Sequence, residues 1–156
     1  MLLLLFHIDD DAYGIDLSQI VEVVPLVTLT KLPYSPDCVA GIFNFRGCIA
    51  PVIDLTELLA GRQSKELLST RIIIVNFKDH KSQLRQLGLL AEQATETMAC
   101  NPADIQTSGV GSAEARYLRD ILLTSGGMIH IINIENVLSK KIQELLFVAD
   151  DVEIDT

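Results

Sequence analysis

The sequence predicts an all-β fold with a barrel-like architecture and one closing helix. Residues 39–55 form a nearly uncharged run that Gly41, Gly47 and Pro51 interrupt too often for a helix. Residues 71–77 contain consecutive β-branched residues, which are typical of a central strand buried on both faces. Roughly eight to ten such short apolar segments, separated by turn residues, indicate a barrel.

The N-terminal segments are predicted as strands joined by short turns. Leu2–Ile8 has the pattern of a buried strand, and residues 13–16 return beside it after an acidic turn. A short helical turn at 17–20 precedes a strand that ends at Pro25. Residues 28–32 alternate between polar and apolar side chains, so the sequence predicts a further strand there.

The middle of the chain is predicted to hold the centre of the sheet. Residues 54–61 indicate one or two helical turns with a glycine at the exit. The strand at 71–77 is expected to pair with a returning strand at 87–91, which continues more weakly over 92–98. Residues 99–112 are predicted to be a loop.

The C-terminal part is predicted to contain a hairpin and then a helix. Residues 117–123 and 128–134 flank a turn built from serine and glycine. Asn133 is predicted to cap the helix that follows. Its apolar face repeats at helical spacing through Leu138, Ile142, Leu145 and Leu146. We therefore expect one domain over residues 1–147, followed by an acidic tail at 148–156.

Charge and cysteine usage restrict the partners of this chain. The net charge is −9 and is concentrated in residues 9–11 and in the tail. With no basic stripe to meet a phosphate backbone or an anionic lipid surface, nucleic acids and membrane surfaces are disfavoured. No apolar window is long enough to span a membrane, and the opening residues 1–6 fit a strand better than a signal segment. Three unpaired cysteines, Cys38, Cys48 and Cys100, indicate buried thiols and a reducing compartment.

The sequence contains no recognisable catalytic or metal-binding pattern. The three histidines, His7, His80 and His130, are scattered and have no partners at metal-ligand spacing. No serine stands in a nucleophile elbow, and residues 109–111 lack the third glycine of a dinucleotide-binding loop. The sequence therefore predicts neither an enzyme nor a cofactor.

Two carboxylate pairs are the remaining candidates for acid–base chemistry. Asp54 with Glu57, and Glu92 with Glu96, are close in sequence. Pairs of this kind are more often a solvated face or a turn than an active site, and we interpret both in that way.

Two isolated charges suggest a binding surface instead. Glu22 stands among valines, and Arg46 stands between Phe45 and Gly47 at a tight corner. If their strands are neighbours, the charges can pair or edge a groove that accepts a partner helix. A purely structural ion pair, or two independent exposed charges, is the alternative that spacing alone favours.

Five short motifs together form a recognisable pattern. They are Tyr-Gly-Ile-Asp at 13–16, Ile-Val-Glu-Val at 20–23, Leu-Pro at 32–33, Val-Ala-Gly-Ile-Phe-Asn-Phe-Arg-Gly at 39–47 and Pro-Val-Ile-Asp-Leu at 51–55. With these motifs the chain resembles the CheW-like adaptor domain of bacterial chemosensory arrays, and the similarity covers residues 1 to 147.

The resemblance implies a fold of two five-stranded β-barrel lobes that share one core. It also implies a non-catalytic adaptor that couples a methyl-accepting chemoreceptor to a CheA-type histidine kinase. Such an adaptor is expected in the bacterial cytoplasm, recruited to membrane receptor arrays without inserting into the membrane. We expect it to be a monomer outside the array.

Family roles transfer to individual positions of this sequence. The resemblance assigns a receptor-binding groove to Glu22, Arg46, Val21, Asn44, Ile72 and Gly88. It places Gly41 near the kinase-facing side.

This sequence also departs from the family pattern. Phe43 and Phe45 are bulkier than expected beside Asn44, and the segment 78–86 is longer and more charged. Residues 1–6 and 68–71 are more like adaptors of the surface-sensing Wsp type than those of flagellar chemotaxis. The alternatives are a receptor-binding competitor without productive kinase coupling and, in a different class, a small barrel enzyme.

Overall fold

The structure is a computed structural model that describes residues 1–108, 117–118 and 120–147. The predicted loop at 109–111 and the acidic tail at 148–156 lie outside the described residues. The strands are β1 Leu2–Ile8, β2 Asp11–Asp16, β3 Ile20–Pro25, β4 Val39–Phe45, β5 Cys48–Asp54, β6 Arg71–Lys78, β7 Leu84–Ala91, β8 Glu96–Ala99, β9 Ile105–Thr107, β10 Asp120–Thr124 and β11 Gly127–Ile131. The α-helices are α1 Leu55–Ala60 and α2 Lys140–Leu146, and short 3-10 turns occur at Leu17–Gln19, Pro102–Asp104 and Ile134–Asn136.

The strands form two sheets, which confirms the all-β prediction. One sheet has six strands in the order β8-β1-β2-β11-β10-β9, and the other has five in the order β3-β6-β7-β5-β4. We call them the six-stranded lobe and the five-stranded lobe. Neighbouring strands are antiparallel except for the parallel pairs β2–β11 and β5–β7. Within the described ranges neither ladder closes into a complete barrel, and the lobes have six and five strands rather than five each.

Strand β6 joins two hydrophobic cores because its successive side chains point to opposite faces. Ile73, Val75 and Phe77 enter a large core that lies between the two sheets. Ile72 and Ile74 enter a second core inside the five-stranded lobe. Every one of these side chains is fully buried. Burial of one such aliphatic side chain stabilises the fold by about 1.5–3 kcal/mol, so β6 is central as predicted.

Strand β1 of the six-stranded lobe also contributes side chains to two hydrophobic cores. Its side chains divide between the shared core and a third core, with Leu4, Phe6 and Ile8 on the first side and Leu3 and Leu5 on the second. The lobes therefore share one core and each keeps a smaller core of its own, as the resemblance implied.

The predicted strand at 28–32 is wrong. Only Thr30 pairs there, and it exchanges two backbone hydrogen bonds with Ile42 of β4, at 2.9 and 2.8 Å. The register of β4 against β5 shifts between Val39 and Gly41, so a bulge lies next to this single pair. Gly41 has a φ of 151°, and a Cβ atom on it would lie 2.6 Å from the carbonyl oxygen of Thr30.

Helix α1 ends where the sequence predicted, whereas the predicted cap of α2 is wrong. Gly61 follows α1 in the left-handed conformation with a φ of 75°. Helix α2 is capped by Ser139, whose Oγ accepts a 3.2 Å hydrogen bond from the Ile142 amide. Asn133 caps the preceding 3-10 turn instead, because a bend after that turn separates it from α2. Leu145, which was predicted on the buried apolar face of this helix, is instead 45% exposed.

Three further boundaries differ from the predictions. Residues 92–98 do not extend β7, because a turn with Gln93 at a φ of 50° sends the chain to β8 in the other sheet. The last hairpin comprises β10 and β11 only, and part of the predicted 99–112 loop is β9. The prediction of buried thiols is also wrong, since Cys48 follows the hairpin turn and is exposed. None of the described helices reaches the length and hydropathy that crossing a bilayer requires.

Arg62 connects the two lobes. Its guanidinium donates two hydrogen bonds to the Glu92 carboxylate, at 2.8 and 3.2 Å, and one to Asp9 at 3.2 Å. The Lys65 amide adds a 2.7 Å hydrogen bond to Glu92. The hydrogen bonds from Arg62 lower the pKa of the Glu92 carboxyl, although burial acts to raise it.

In each carboxylate pair one member is buried rather than part of a solvated face, whereas Glu96 is exposed. Glu92 lies in a turn, which was one of the two interpretations of the pair. It is not solvated, because only 3% of its surface is exposed. Asp54 is 4% exposed. Its Oδ1 accepts hydrogen bonds from the Thr56 amide at 3.0 Å and from the Ser64 hydroxyl at 2.6 Å. Both carboxylates therefore have structural partners that sequence spacing did not reveal.

Replacement of Gly41 by alanine should destabilise the fold by roughly 2–3 kcal/mol, because the new methyl group would overlap Thr30 and the backbone would be strained. Gly47→Ala is the matched control, since its φ of 88° is also positive but no atom lies within 4 Å of an added Cβ. Urea unfolding measures both variants. Equal losses in the two would show that the contact with Thr30 contributes nothing.

Acidification should remove the stabilisation that the Glu92–Arg62 contact provides. A carboxyl whose pKa is lowered on folding contributes fully above its unfolded pKa of about 4.3, and the contribution is lost as the pH falls through the folded pKa. Glu92→Gln should therefore lose less stability than the wild type between about pH 5 and pH 3. Urea unfolding at successive pH values measures this, and parallel pH profiles would contradict the assignment.

Candidate partner-binding face around Glu22 and Arg46

Arg46 lies in the two-residue turn between β4 and β5. Phe45 pairs with Cys48 across the hairpin, and Arg46 and Gly47 have φ values of 52° and 88°. Two positive φ angles are the signature of a type I′ hairpin turn, which glycine adopts readily and arginine does not. The side-chain oxygen of Asn44 accepts a 2.7 Å hydrogen bond from the Gly47 amide and holds the turn.

Glu22 reaches Arg46 across the five-stranded lobe. It lies on β3, at the opposite edge of the sheet from β4, and its Cα pairs with that of Ile74. Its side chain is thus on the face of the lobe's own core. Nη2 of Arg46 donates a hydrogen bond to Oε1 of Glu22 in an ion pair. The structure thereby shows that the two charges pair rather than act independently.

The Arg46 guanidinium keeps a free side toward solvent. Its side chain is 69% exposed, and that of Glu22 is 33% exposed. The guanidinium carbon also lies 5.1 Å from the centre of the Phe45 ring, a cation–π contact. An exposed ion pair contributes about 0–1 kcal/mol to stability. Arg46 is thus held in place and still offers donors to a carboxylate or carbonyl group of a partner.

Strand β3 adds an apolar edge beside the charge pair. Val21 is 40% exposed and Val23 is 36% exposed. No backbone hydrogen bond of residues 21–25 to any described segment other than β6 is present. This edge can accept a further strand, or pack its valines against an apolar ridge.

The six residues assigned to the receptor groove do not form one surface. Val21 and Asn44 are exposed together with the charge pair, whereas Ile72 and Gly88 are buried inside the five-stranded lobe. A Cβ atom on Gly88 would lie 3.0 Å from Cγ2 of both Ile72 and Val52. Ile72 and Gly88 therefore pack beneath the exposed surface that carries Glu22 and Arg46. Gly41 lies apart, under the segment that contains Thr30.

The motif-based predictions missed a cavity at the described surface. It has a volume of about 600 Å³ and lies between the segment after β3 and the loop after α1. Its lining includes Lys31, Asp37, Ser64 and Thr70. The two prolines at 33 and 36 were the available signal, since they mark an irregular segment able to frame an opening. Over the described ranges, no group of three His, Cys, Asp or Glu side chains could hold a metal.

Two lobes around a shared core, with a paired charge and a strand edge exposed, define an all-β module suited to binding other proteins. Residues 2–141 match the CheW-like domain family, and the chain belongs to this family. Chemotaxis protein CheW of Rhizobium meliloti is 24% identical over 144 residues, which cover 91% of this chain and 90% of that protein. Chemotaxis protein CheW of Treponema pallidum is 26% identical over 148 residues, with 89% and 82% covered.

The fold is also found in a solved structure. The scaffolding protein TtCheW from Thermoanaerobacter tengcongensis superposes with a TM-score of 0.79 at 29% sequence identity. The match covers 93% of this chain and 92% of that one. These comparisons confirm the predicted family and fold, and the assignment to the Wsp type stays a prediction.

Asn44→Ala should destabilise the protein by about 1 kcal/mol, because the Gly47 amide loses its acceptor. Asn44→Asp is the matched control, since it keeps an acceptor oxygen and should retain most of the stability. Thermal and urea unfolding measure both. If the two variants lost stability equally, the hydrogen bond to Gly47 would have no part in holding the turn.

Proposed function

We propose that this protein is a non-catalytic adaptor that couples a methyl-accepting chemoreceptor to a CheA-type histidine kinase. Family membership supports the class of function, and the chemotaxis and scaffolding names of its relatives support the setting. The proposed location is the bacterial cytoplasm, with recruitment to membrane receptor arrays. The proposed unit is residues 1–147, with the acidic segment 148–156 as an appendage.

The single observation that carries the proposal is the exposed, restrained guanidinium of Arg46. Glu22 and the Phe45 ring fix its position, and the turn projects it from the end of the hairpin. A planar group with several donors recognises acidic or carbonyl groups of a receptor helix. Val21, the neighbour of Glu22 on β3, is 40% exposed and supplies apolar contact for the same helix in this proposal.

Burial divides the assigned residues into two kinds of contribution. Arg46, Glu22, Val21 and Asn44 are the proposed contacts with the receptor. Ile72 and Gly88 support the face from below, since Ile72 is fully buried. Gly41 is proposed to act on the kinase side through the segment that crosses it, because its own Cα is covered by Thr30.

A competitor of the same fold is the second candidate. It would bind the receptor through the same face without productive contact with the kinase. Co-sedimentation with receptor and kinase, combined with autophosphorylation measurements, separates the two. An adaptor raises or gates kinase activity in the complex, whereas a competitor only removes the kinase from the receptor.

A small barrel enzyme, the candidate from a different class, has no observation in its favour. Within the described residues, the buried carboxylates Asp54 and Glu92 are engaged by structural partners. Turnover of a generic ester or phosphate substrate that one histidine or cysteine substitution abolished would support this class and contradict the adaptor proposal.

Arg46→Glu should weaken receptor binding at least about tenfold while the thermal midpoint stays within a few degrees, since an exposed ion pair adds little stability. Lys31→Glu is the control, because it makes the same charge change at an exposed residue beside the cavity. Receptor co-sedimentation and thermal unfolding are the measurements. Unfolding of the Arg46→Glu variant would show that Arg46 is structural.

The double variant Glu22→Arg with Arg46→Glu separates pairing from recognition. It restores an ion pair across the lobe with the charges exchanged. If the partner recognises the guanidinium at position 46, binding should remain as weak as in the single variant. Recovery of binding would assign the pair a purely structural role.

A further inference from the structure

The cavity between the segment after β3 and the loop after α1 has the dimensions of a small-molecule site. Its volume is about 600 Å³, and ligand pockets typically have volumes of roughly 300–1,000 Å³. The cavity lies against Val39 and Ala40 at the start of β4, whereas Arg46 follows the last residue of that strand. The length of β4 therefore separates the cavity from the Arg46 turn by roughly 20 Å. The cavity is a second candidate site, apart from the Glu22–Arg46 face.

One part of the cavity lining is apolar. Leu29 and Leu32 come from the segment after β3, and Val39 and Leu90 come from β4 and β7. Val39 is 8% exposed and Leu90 is 6% exposed, so the packed interior of the fold holds both side chains in place. An aliphatic chain that packs against these four side chains is removed from water, which favours its binding.

The buried carboxylate of Asp54 belongs to the same lining. The groups that donate hydrogen bonds to it are neutral. Its Oδ1 accepts from the Thr56 amide and the Ser64 hydroxyl, and its Oδ2 accepts a 2.9 Å hydrogen bond from the Ser64 amide. Among the residues that the structure describes, no lysine or arginine forms an ion pair with Asp54. Buried charges in proteins are normally paired with an opposite charge, so a cation in the cavity would supply what this carboxylate lacks.

Two further carboxylates line the cavity, and the backbone places both near Asp54. The Asp54 amide donates a 2.7 Å hydrogen bond to the carbonyl oxygen of Cys38, the residue after Asp37. Glu66 lies two residues after Ser64, which donates to Asp54 through its amide and its hydroxyl. Within the described ranges, neither the Asp37 nor the Glu66 side chain has a hydrogen bond or an ion pair. Both carboxylates are therefore available to a ligand.

Lys31 is the cationic residue of the described lining, and Asp37, Asp54 and Glu66 are its anionic residues. Three carboxylates against one ammonium group give the lining a formal charge of −2. Over the described part of the chain, Lys31 forms an ion pair with none of the three. Because opposite charges attract, this lining favours a cationic ligand over an anionic one.

We propose that this cavity binds a small aliphatic diamine. Its methylene chain packs against the leucine and valine side chains, and its two ammonium groups neutralise the charge of the carboxylates. The loop that contributes Ser64 and Glu66 to the cavity also contains Arg62, which connects the two lobes. Occupation of the cavity therefore restrains a loop that joins the lobes. This inference goes beyond the adaptor proposal, and its test requires neither receptor nor kinase.

Titration of the full chain with putrescine, a four-carbon diamine, tests the inference through the backbone amide resonances. Those of Ala40, Ser64 and Thr70, which line the cavity, should shift and reach saturation. The diol of the same chain length, which carries no charge, should leave them unchanged at the same concentrations. Asp37→Asn with Glu66→Gln should raise the Kd of putrescine at least about tenfold, because two charge-assisted contacts are lost.

A matched control removes the same amount of charge outside the cavity. Asp10→Asn with Asp104→Asn changes two exposed residues and should leave the Kd as in the wild type. Lys31→Gln removes a repulsive charge and should lower the Kd by about threefold, which tests the site even if the first double variant does not fold. An unchanged Kd in Lys31→Gln, or in the variant without the two cavity carboxylates, overturns the proposal. Equal shifts of the same amides with MgCl₂ also overturn it, because any dication would then suffice. Loss of receptor binding in the earlier test has no bearing on these results.

Discussion

The two-sided burial of β6 and β1 is the constraint on which the rest of the structure depends. Each strand directs alternate side chains into two different cores, so neither lobe can shift without disturbing the core between the sheets. A central strand buried on both faces has no surface left for recognition. Glu22 and Arg46, the proposed contacts, lie instead on an edge strand and in a hairpin turn, where side chains remain exposed.

Glycine lets the five-stranded lobe curl enough to bring its two edges together. Gly88 gives Val52 and Ile72 room to pack over β7, and Gly41 lets the segment after β3 pass closely across β4. With the edges near each other, one ion pair spans them at the surface. The pair adds little stability by itself, since the buried aliphatic side chains below already hold the lobe. The Glu22–Arg46 pair lies where the two sheet edges meet because the five-stranded sheet is curved.

The sequence predicted correctly those elements that depend on neighbouring residues alone. The consecutive β-branched residues of β6 and the left-handed glycine after α1 gave correct positions because each depends on adjacent residues. The prediction of a strand at 28–32 was wrong because its pairing depends on β4, which is distant in sequence and pairs with this segment only at Thr30 and Ile42. The pairing of Glu22 with Arg46 was left open for the same reason. Burial of Ile72 and Gly88 under the candidate face depends on the packing of whole strands, which spacing does not specify.

Arginine at the first position of a type I′ turn is itself an argument for function. The left-handed conformation costs a residue with a side chain about 1–2 kcal/mol, and asparagine or glycine would meet the turn at lower cost. Asn44 stands two residues earlier and stabilises the turn through Gly47, so the asparagine is used without occupying the strained position. An exposed ion pair returns at most about 1 kcal/mol. The ion pair alone therefore does not offset the backbone strain, and this supports the recognition role proposed for Arg46.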